Sequence, residues 1–199
     1  MLAMGDTAHV RARVLAGVRG EQGACVTWLG KRLSLLGLGE MLTSITVTYF
    51  FILTLAAWRQ RFRKGFGRFG DLLLAVAGIR LTLLTLPLNQ WEESEPPHPW
   101  SIYRNVPLLA QGLGLAYLIL RDSRAAGDRT FRWIGQMILV SYAFYTPIIL
   151  FARRMPQLGL LMIPKTLAYL AMAVRVYRDL YRSPENYGIE LSEASMPLE

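Results

Sequence analysis

Five apolar runs constrain the fold of this chain more than any other feature. They cover residues 41–58, 71–88, 102–120, 131–151 and 158–177. About 20 helical residues, each rising about 1.5 Å, cross a hydrocarbon core about 30 Å thick, and each run approaches that length. The runs predict an all-α fold, a polytopic membrane bundle of about five transmembrane helices. A soluble helical bundle is the alternative, because several runs are slightly short and carry polar residues.

The composition supports the membrane interpretation. Of 199 residues, 53% are hydrophobic, and the net charge is +8. In a soluble protein this basic excess would suggest nucleic acid, but here the basic residues cluster in short segments between the apolar runs. We therefore expect the lipid bilayer as a partner and no nucleic acid.

The bundle divides the chain into three predicted regions. Residues 1–40 form a basic N-terminal segment, residues 41–177 the transmembrane bundle, and residues 178–199 a polar, acidic tail. In the first region, VTWLGKRLSLLGLGEM places apolar residues at near-helical spacing around Lys31 and Arg32. Such a pattern is typical of an amphipathic helix lying in the membrane interface.

The charges of the loops predict an orientation. The segments at the ends of the first, third and fifth runs, residues 59–70, 121–132 and 175–199, hold twelve Lys or Arg, whereas residues 89–105 and 152–157 on the other side hold three. The positive-inside rule places the basic side, including the C-terminus, in the cytoplasm and the N-terminus outside. The basic residues before residue 41 oppose that N-terminal placement. The expected location is the inner membrane of a bacterial or archaeal cell.

The sequence gives no sign of a metal centre or cofactor. The single cysteine, Cys25, allows no intramolecular disulfide or CxxC pair, and His9 and His98 lie outside every apolar run. No zinc-protease, P-loop or hydrolase motif is present. We predict no cofactor and no metal, identify no catalytic residue, and favour a non-enzymatic role.

Two basic residues lie inside apolar runs. Arg80 is roughly 13 Å into the second run and Lys165 roughly 10 Å into the fifth, at similar depths in an antiparallel arrangement. Each charge costs about 2.5–3.5 kcal/mol on membrane-insertion scales, so each needs a partner. Every acidic residue lies in a loop, in a tail or at the end of a run.

Three kinds of partner remain open for these charges. Lys165 could extend to the headgroups while Arg80 donates to backbone carbonyls or hydroxyls of neighbouring helices. Alternatively, an anionic ligand or lipid phosphate could bind between the helices, because guanidinium and ammonium groups both suit such recognition. The third possibility is a carboxylate from another subunit.

Tyrosines accompany the two cations. Tyr142 and Tyr145 lie on the fourth run just before Pro147, and Tyr169 follows Lys165 by one helical turn. Aromatic residues at such spacing are more often packing residues than ligands. The predicted ligand-binding residues are Arg80, Lys165, Tyr142, Tyr145 and Tyr169.

A stripe of small or polar residues runs along the second span on a different face from Arg80. We expect this stripe to pack against another helix. It consists of Asp71, Leu74, Ala75, Gly78, Thr82, Thr85 and Asn89.

Two functions are compatible with this pattern. The first is a multi-pass membrane protein that binds or translocates a small anionic or phosphate-bearing molecule, possibly a lipid, at an intramembrane basic site. The second is a non-catalytic subunit or scaffold of a membrane complex, in which Arg80 and Lys165 pair with another chain or another copy. A self-contained site requires both cations to approach one cavity, whereas a subunit should turn at least one of them outward.

Overall fold

Helices dominate the architecture, as the sequence predicts. The computed structural model describes residues 11, 14, 18, 25–28, 31–93, 97, 99–151 and 154–179. Five long helices follow one another within these residues: α1 (Leu35–Arg61), α2 (Gly67–Thr85), α3 (Val106–Ala125), α4 (Arg129–Phe151) and α5 (Met162–Tyr177). Each corresponds to one predicted run, displaced by a few residues.

Three helical segments are long and apolar enough to cross a membrane. They are Leu35–Arg61, Arg129–Phe151 and Gln157–Tyr177. This finding suggests a membrane protein. Helix α2 is not among them; it carries the three charged residues Arg68, Asp71 and Arg80.

The start of α1 differs from the prediction. Strands β1 (Cys25–Trp28) and β2 (Lys31–Ser34) pair in antiparallel fashion, with Trp28 opposite Lys31. The predicted interfacial helix is therefore wrong over these strands, and in β1 the β-branched and aromatic residues Val26, Thr27 and Trp28 favour extended backbone. The helix begins at Leu35, and Ser34 caps it by accepting a hydrogen bond from the Gly37 amide.

Most of the predicted N-terminal segment cannot be compared with the fold. Up to residue 24, only Arg11, Val14 and Val18 are described, and they are helical and exposed. The predicted tail lies outside the described residues from position 180 onward. The location of the N-terminus therefore stays a prediction.

Short helical segments connect the later helices. A 3-10 helix (Pro87–Asn89) and one helical turn (Trp100–Tyr103) lie between α2 and α3, and a second 3-10 helix (Pro156–Leu161) precedes α5. Helix α5 starts only at Met162, which puts Pro164 in its first turn. A proline is tolerated there because its missing N–H has no partner in the first turn of a helix.

Helix α3 lies at the centre of the bundle. It contacts α1, α2 and α4, and α4 in turn contacts α5. Two glycines allow α3 to come close to its neighbours: a Cβ on Gly112 would overlap the Tyr142 ring, and one on Gly114 would press on Leu73. The tightest helix contacts therefore surround α3.

The face that α2 buries is not the predicted stripe. Leu73, Ala77, Arg80 and Leu84 are buried instead. Most of the stripe is exposed, and a Cβ on Gly78 would meet no atom within 4 Å. The rotation of α2 buries its larger apolar side chains and gives Arg80 its hydrogen-bond acceptors. These gains stabilise the bundle more than close packing through the small residues would.

A buried carboxylate joins α1 to α3 at the end of the bundle that carries the Lys- and Arg-rich segments 59–70, 121–132 and 175–178, the basic end. Asp122 accepts hydrogen bonds from the Trp58 indole (3.0 Å) and from Arg121 (2.8 Å), and Lys64 lies 3.0 Å away. The bond from Arg121, supported by Lys64, holds the pKa of Asp122 below its ordinary value. Sequence reasoning treated Asp122 only as a loop residue.

The close approach at Gly112 can be tested by adding one methyl group. Gly112→Ala would force the Tyr142 ring to move, and overpacking of this kind destabilises by about 1–3 kcal/mol. We expect a lower thermal unfolding temperature in detergent. Gly78→Ala is the matched control, because it adds the same methyl group to open space on a helix; we expect an unchanged or slightly higher unfolding temperature. Equal unfolding temperatures for the two variants would contradict the packing.

Candidate functional site

The guanidinium of Arg80 is enclosed by the bundle. Arg80 is only 1% exposed. Its Nε donates to the carbonyl of Arg104 (3.1 Å), and its Nη1 donates to the carbonyl of Ser44 (2.8 Å) and to the hydroxyl of Thr48. The side chain thus joins α2, α1 and the connection that leads into α3. These are the backbone and hydroxyl acceptors of the first alternative described above.

A second buried arginine adjoins the first. The Arg104 side chain donates to the carboxylate of Glu40 (2.6 Å), and its guanidinium lies 4.4 Å from the centre of the Trp91 ring. The Trp91 indole donates in turn to the carbonyl of Leu84 in α2 (3.0 Å). Arg104 also has a buried Nη1 without a hydrogen-bond partner among the described residues. The carboxylate of Glu40 therefore neutralises Arg104 rather than Arg80.

Lys165 lies at a cavity between α1, α3, α4 and α5. Its Nζ is 4.0 Å from the centre of the Tyr145 ring, a cation–π geometry. The cavity is lined by Val47, Leu108, Ser141, Tyr142, Tyr145, Lys165 and Tyr169. Four of the five predicted site residues thus line one cavity, and Arg80 is not among the lining residues.

Hydrogen bonds lead from this cavity toward Arg80. The Tyr145 hydroxyl donates to the side chain of Asn105 (3.2 Å), which directly follows Arg104 in the chain. The Tyr142 hydroxyl donates to the carbonyl of Leu108 (2.7 Å). Polar groups therefore follow one another from Lys165 through Tyr145 and Asn105 to the peptide that accepts from Arg80.

The cavity is small. Its volume is about 10 Å³, which is roughly the room that one water molecule needs. A larger hollow of about 440 Å³ lies near the end of α5, against Ala173, Val174, Tyr177 and Arg178. Of these two cavities, the small one combines a cation with several hydroxyl groups, so we regard it as the candidate site.

Sequence reasoning missed the partners of the two arginines. None of these partners is a predicted site residue: Glu40 precedes the first run, Trp91 lies between the second and third runs, and Arg104 and Asn105 lie at the start of the third. One signal could have found the ion pair: Glu40 and Arg104 have opposite charges and lie on the same predicted side of the membrane. The hydrogen bonds to carbonyls carry no such signal in the sequence.

Within the described residues, no group of three or more His, Cys, Asp or Glu side chains lies together as a metal site would require. Comparison of the chain with protein-family models, with curated proteins and with solved structures finds no match. Functional argument for this chain therefore depends on its own geometry.

The contribution of the Arg80 hydrogen bonds can be tested separately from that of its charge. Arg80→Lys keeps a buried cation, but an ammonium group at that position cannot reach all three acceptors. Hydrogen bonds from charged groups contribute about 1.5–3 kcal/mol, so we expect a loss of this size in the free energy of unfolding. Thermal unfolding in detergent measures it. Arg124→Lys, at an exposed position, is the control and should leave the unfolding temperature unchanged.

An unfolding temperature of Arg80→Lys equal to that of the wild type would show that the carbonyl contacts do not hold the helices together. An equal decrease in the unfolding temperatures of Arg80→Lys and Arg124→Lys would indicate that replacing any arginine with lysine destabilises the protein.

Proposed function

We propose that this protein is a multi-pass membrane protein that binds a small anionic or phosphate-bearing group at Lys165. The observation that carries this proposal is the convergence of Lys165 with Tyr142, Tyr145 and Tyr169 on one cavity. The ammonium group of Lys165 offers donors to an anionic oxygen in a setting shielded from water, whereas the hydroxyl protons of Tyr142 and Tyr145 are already donated to Leu108 and Asn105.

The inward direction of both cations favours a self-contained site over the subunit function, although only Lys165, and not Arg80, lines the cavity. Arg80 is buried, and Lys165 contacts the Tyr145 ring rather than pointing along the outer face of α5. Pairing with a carboxylate on another chain would require at least one cation at the surface of the bundle. The proposal assigns the two cations different roles: Lys165 contacts the ligand, whereas Arg80 positions the helices around it.

The size of the cavity limits what enters it. A space for about one water molecule admits a single oxygen of a phosphate or carboxylate, but not a whole metabolite. The rest of the ligand would then extend past α5, of which only Ala168 and Met172 are buried. A lipid with an anionic headgroup has this shape, and a translocated anion would require α5 to move.

The subunit function remains a second candidate because of the outer face of α5. Ile163, Leu167, Leu170, Val174 and Tyr177 are all exposed there. In a membrane this face contacts either lipid or a helix of another protein. A partner bound at this face would not need the intramembrane cations.

We also propose that all five long helices span the membrane, with the C-terminus in the cytoplasm. Lys and Arg gather where α1, α3 and α5 end, and positive-inside bias places such a side in the cytoplasm. A fluorescent protein that matures only in the cytoplasm, fused after residue 199, should therefore fluoresce, and the same protein fused before residue 1 should not. Fluorescence from both fusions would show an even number of spans.

The ligand proposal is tested by removing the ammonium group. We expect the purified wild-type protein to retain an anionic molecule in native mass spectrometry, and Lys165→Met to lose it. A cation–π contact contributes about 0.5–2 kcal/mol, so the variant should stay folded with a modestly lower unfolding temperature.

Arg129→Met is the control, because it removes a cation at an exposed position outside the cavity. Retention of the bound molecule by Lys165→Met would contradict the proposal. Loss of a bound protein from either variant would favour the subunit function.

A further inference from the structure

A furrow runs between α2 and α3 at the basic end of the bundle. Its exposed side chains are apolar, then aromatic, then basic. Phe69 of α2 and Tyr117 of α3 stand at its centre, with ring centroids 6.0 Å apart in an edge-to-face arrangement. They are 41% and 58% exposed, although both are large aromatic residues. The helices come close here because Gly114 lies directly beneath Leu73.

Exposed apolar side chains continue the furrow toward the middle of the bundle. Leu72 is exposed on α2, and Leu113 is exposed one turn before Tyr117 on α3. Exposed arginines continue it in the other direction. The Arg121 guanidinium lies 5.8 Å from the Tyr117 ring centre, Arg124 follows it on the same face of α3, and Arg68 lies one helical turn before Leu72 on α2.

The charge at this end is strongly positive. Eleven Lys or Arg lie in the segments 59–68, 121–132 and 175–178, against the four aspartates Asp71, Asp122, Asp128 and Asp179. Three of these aspartates are ion-paired, and their partners are Arg61, Lys64, Arg121 and Arg175. Within the part of the chain that the structure describes, Arg68 and Arg124 take part in none of these pairs. These two exposed charges are therefore available to groups outside the bundle.

The geometry points to a binding site for an anionic phospholipid in this furrow. An acyl chain would lie along Leu72 and Leu113, the ester region would meet the Phe69–Tyr117 pair, and the phosphate would meet Arg68 and Arg124. The order of apolar, aromatic and basic layers matches the order of chain, interface and headgroup in a bilayer leaflet. This site is separate from the cavity at Lys165 and does not depend on the function proposed there.

Arg121 has a supporting role in this site. One side of its guanidinium is held by Asp122, so the side chain stays near the Tyr117 ring instead of extending freely. The furrow therefore has one fixed cation and two that can adjust to a headgroup.

The test uses the full chain in a neutral detergent and two probes with identical acyl chains, phosphatidylglycerol and phosphatidylcholine. Native mass spectrometry measures the dissociation constant of each lipid. We expect tighter binding of phosphatidylglycerol. Arg68→Gln combined with Arg124→Gln should weaken that binding about 30-fold, since each basic residue near a membrane surface contributes roughly a fivefold factor.

The matched control combines Arg129→Gln with Arg178→Gln. It removes the same charge from exposed positions at the same end, but at the start of α4 and the end of α5. This variant should bind phosphatidylglycerol nearly as the wild type does. All four arginines are exposed, so the unfolding temperatures of both variants should stay at the wild-type value.

Three results would overturn the proposal. Equal weakening in both double variants would indicate diffuse attraction to the basic end. Equal affinities of the wild type for the two lipids would show that the headgroup charge is not recognised. Loss of a dimer in the furrow variant, with lipid binding unchanged, would identify the furrow as a contact between two copies of this chain.

Discussion

The buried guanidinium of Arg80 determines how the first three helices meet. A charge in an apolar setting must find acceptors, and Arg80 obtains them from Ser44 and Thr48 of α1 and from the carbonyl of Arg104. None of these contacts forms without the correct rotation of α2. The same rotation turns the small residues of α2 outward and places Leu73 against Gly114. The exposed furrow between α2 and α3 follows from the same arrangement.

A second polar contact acts at the opposite end of the same helices. Asp122 of α3 receives the Trp58 indole from α1, as Arg80 of α2 binds α1 in the first contact. Between them lies an apolar core that includes Phe51, Leu55 and Leu115. Polar contacts with fixed geometry specify register, which apolar packing alone does more weakly. Helix α5, in contrast, buries few residues and is held mainly against α4.

The sequence could predict the features that depend on local pattern. Apolar run length identified the five helices, and the three helices that qualify as spans on length and composition support the membrane class. Helical spacing also placed Tyr169 beside Lys165, and the structure brings both to one cavity. Whether these residues bind a ligand stays a prediction.

Other features depend on residues far apart in the chain. Ser44 lies 36 residues from Arg80, and the pairing of Glu40 with Arg104 joins residues 64 apart. Residue identity cannot reveal a carbonyl acceptor, because every residue has a backbone carbonyl. The prediction that the stripe of α2 packs against another helix was wrong for a related reason. Small residues permit close packing but do not require it, whereas a buried arginine requires acceptors.

The inward direction of Arg80 also bears on the order in which the helices assemble. Alone in a bilayer, α2 would present its arginine to lipid, and on length and composition it does not qualify as a span. With α1 already in place, the carbonyl of Ser44 and the hydroxyl of Thr48 are available to the guanidinium. For the membrane arrangement proposed above, this geometry predicts that α1 and α2 insert as a single unit, in which the earlier helix supplies hydrogen-bond acceptors for the charge of the later one.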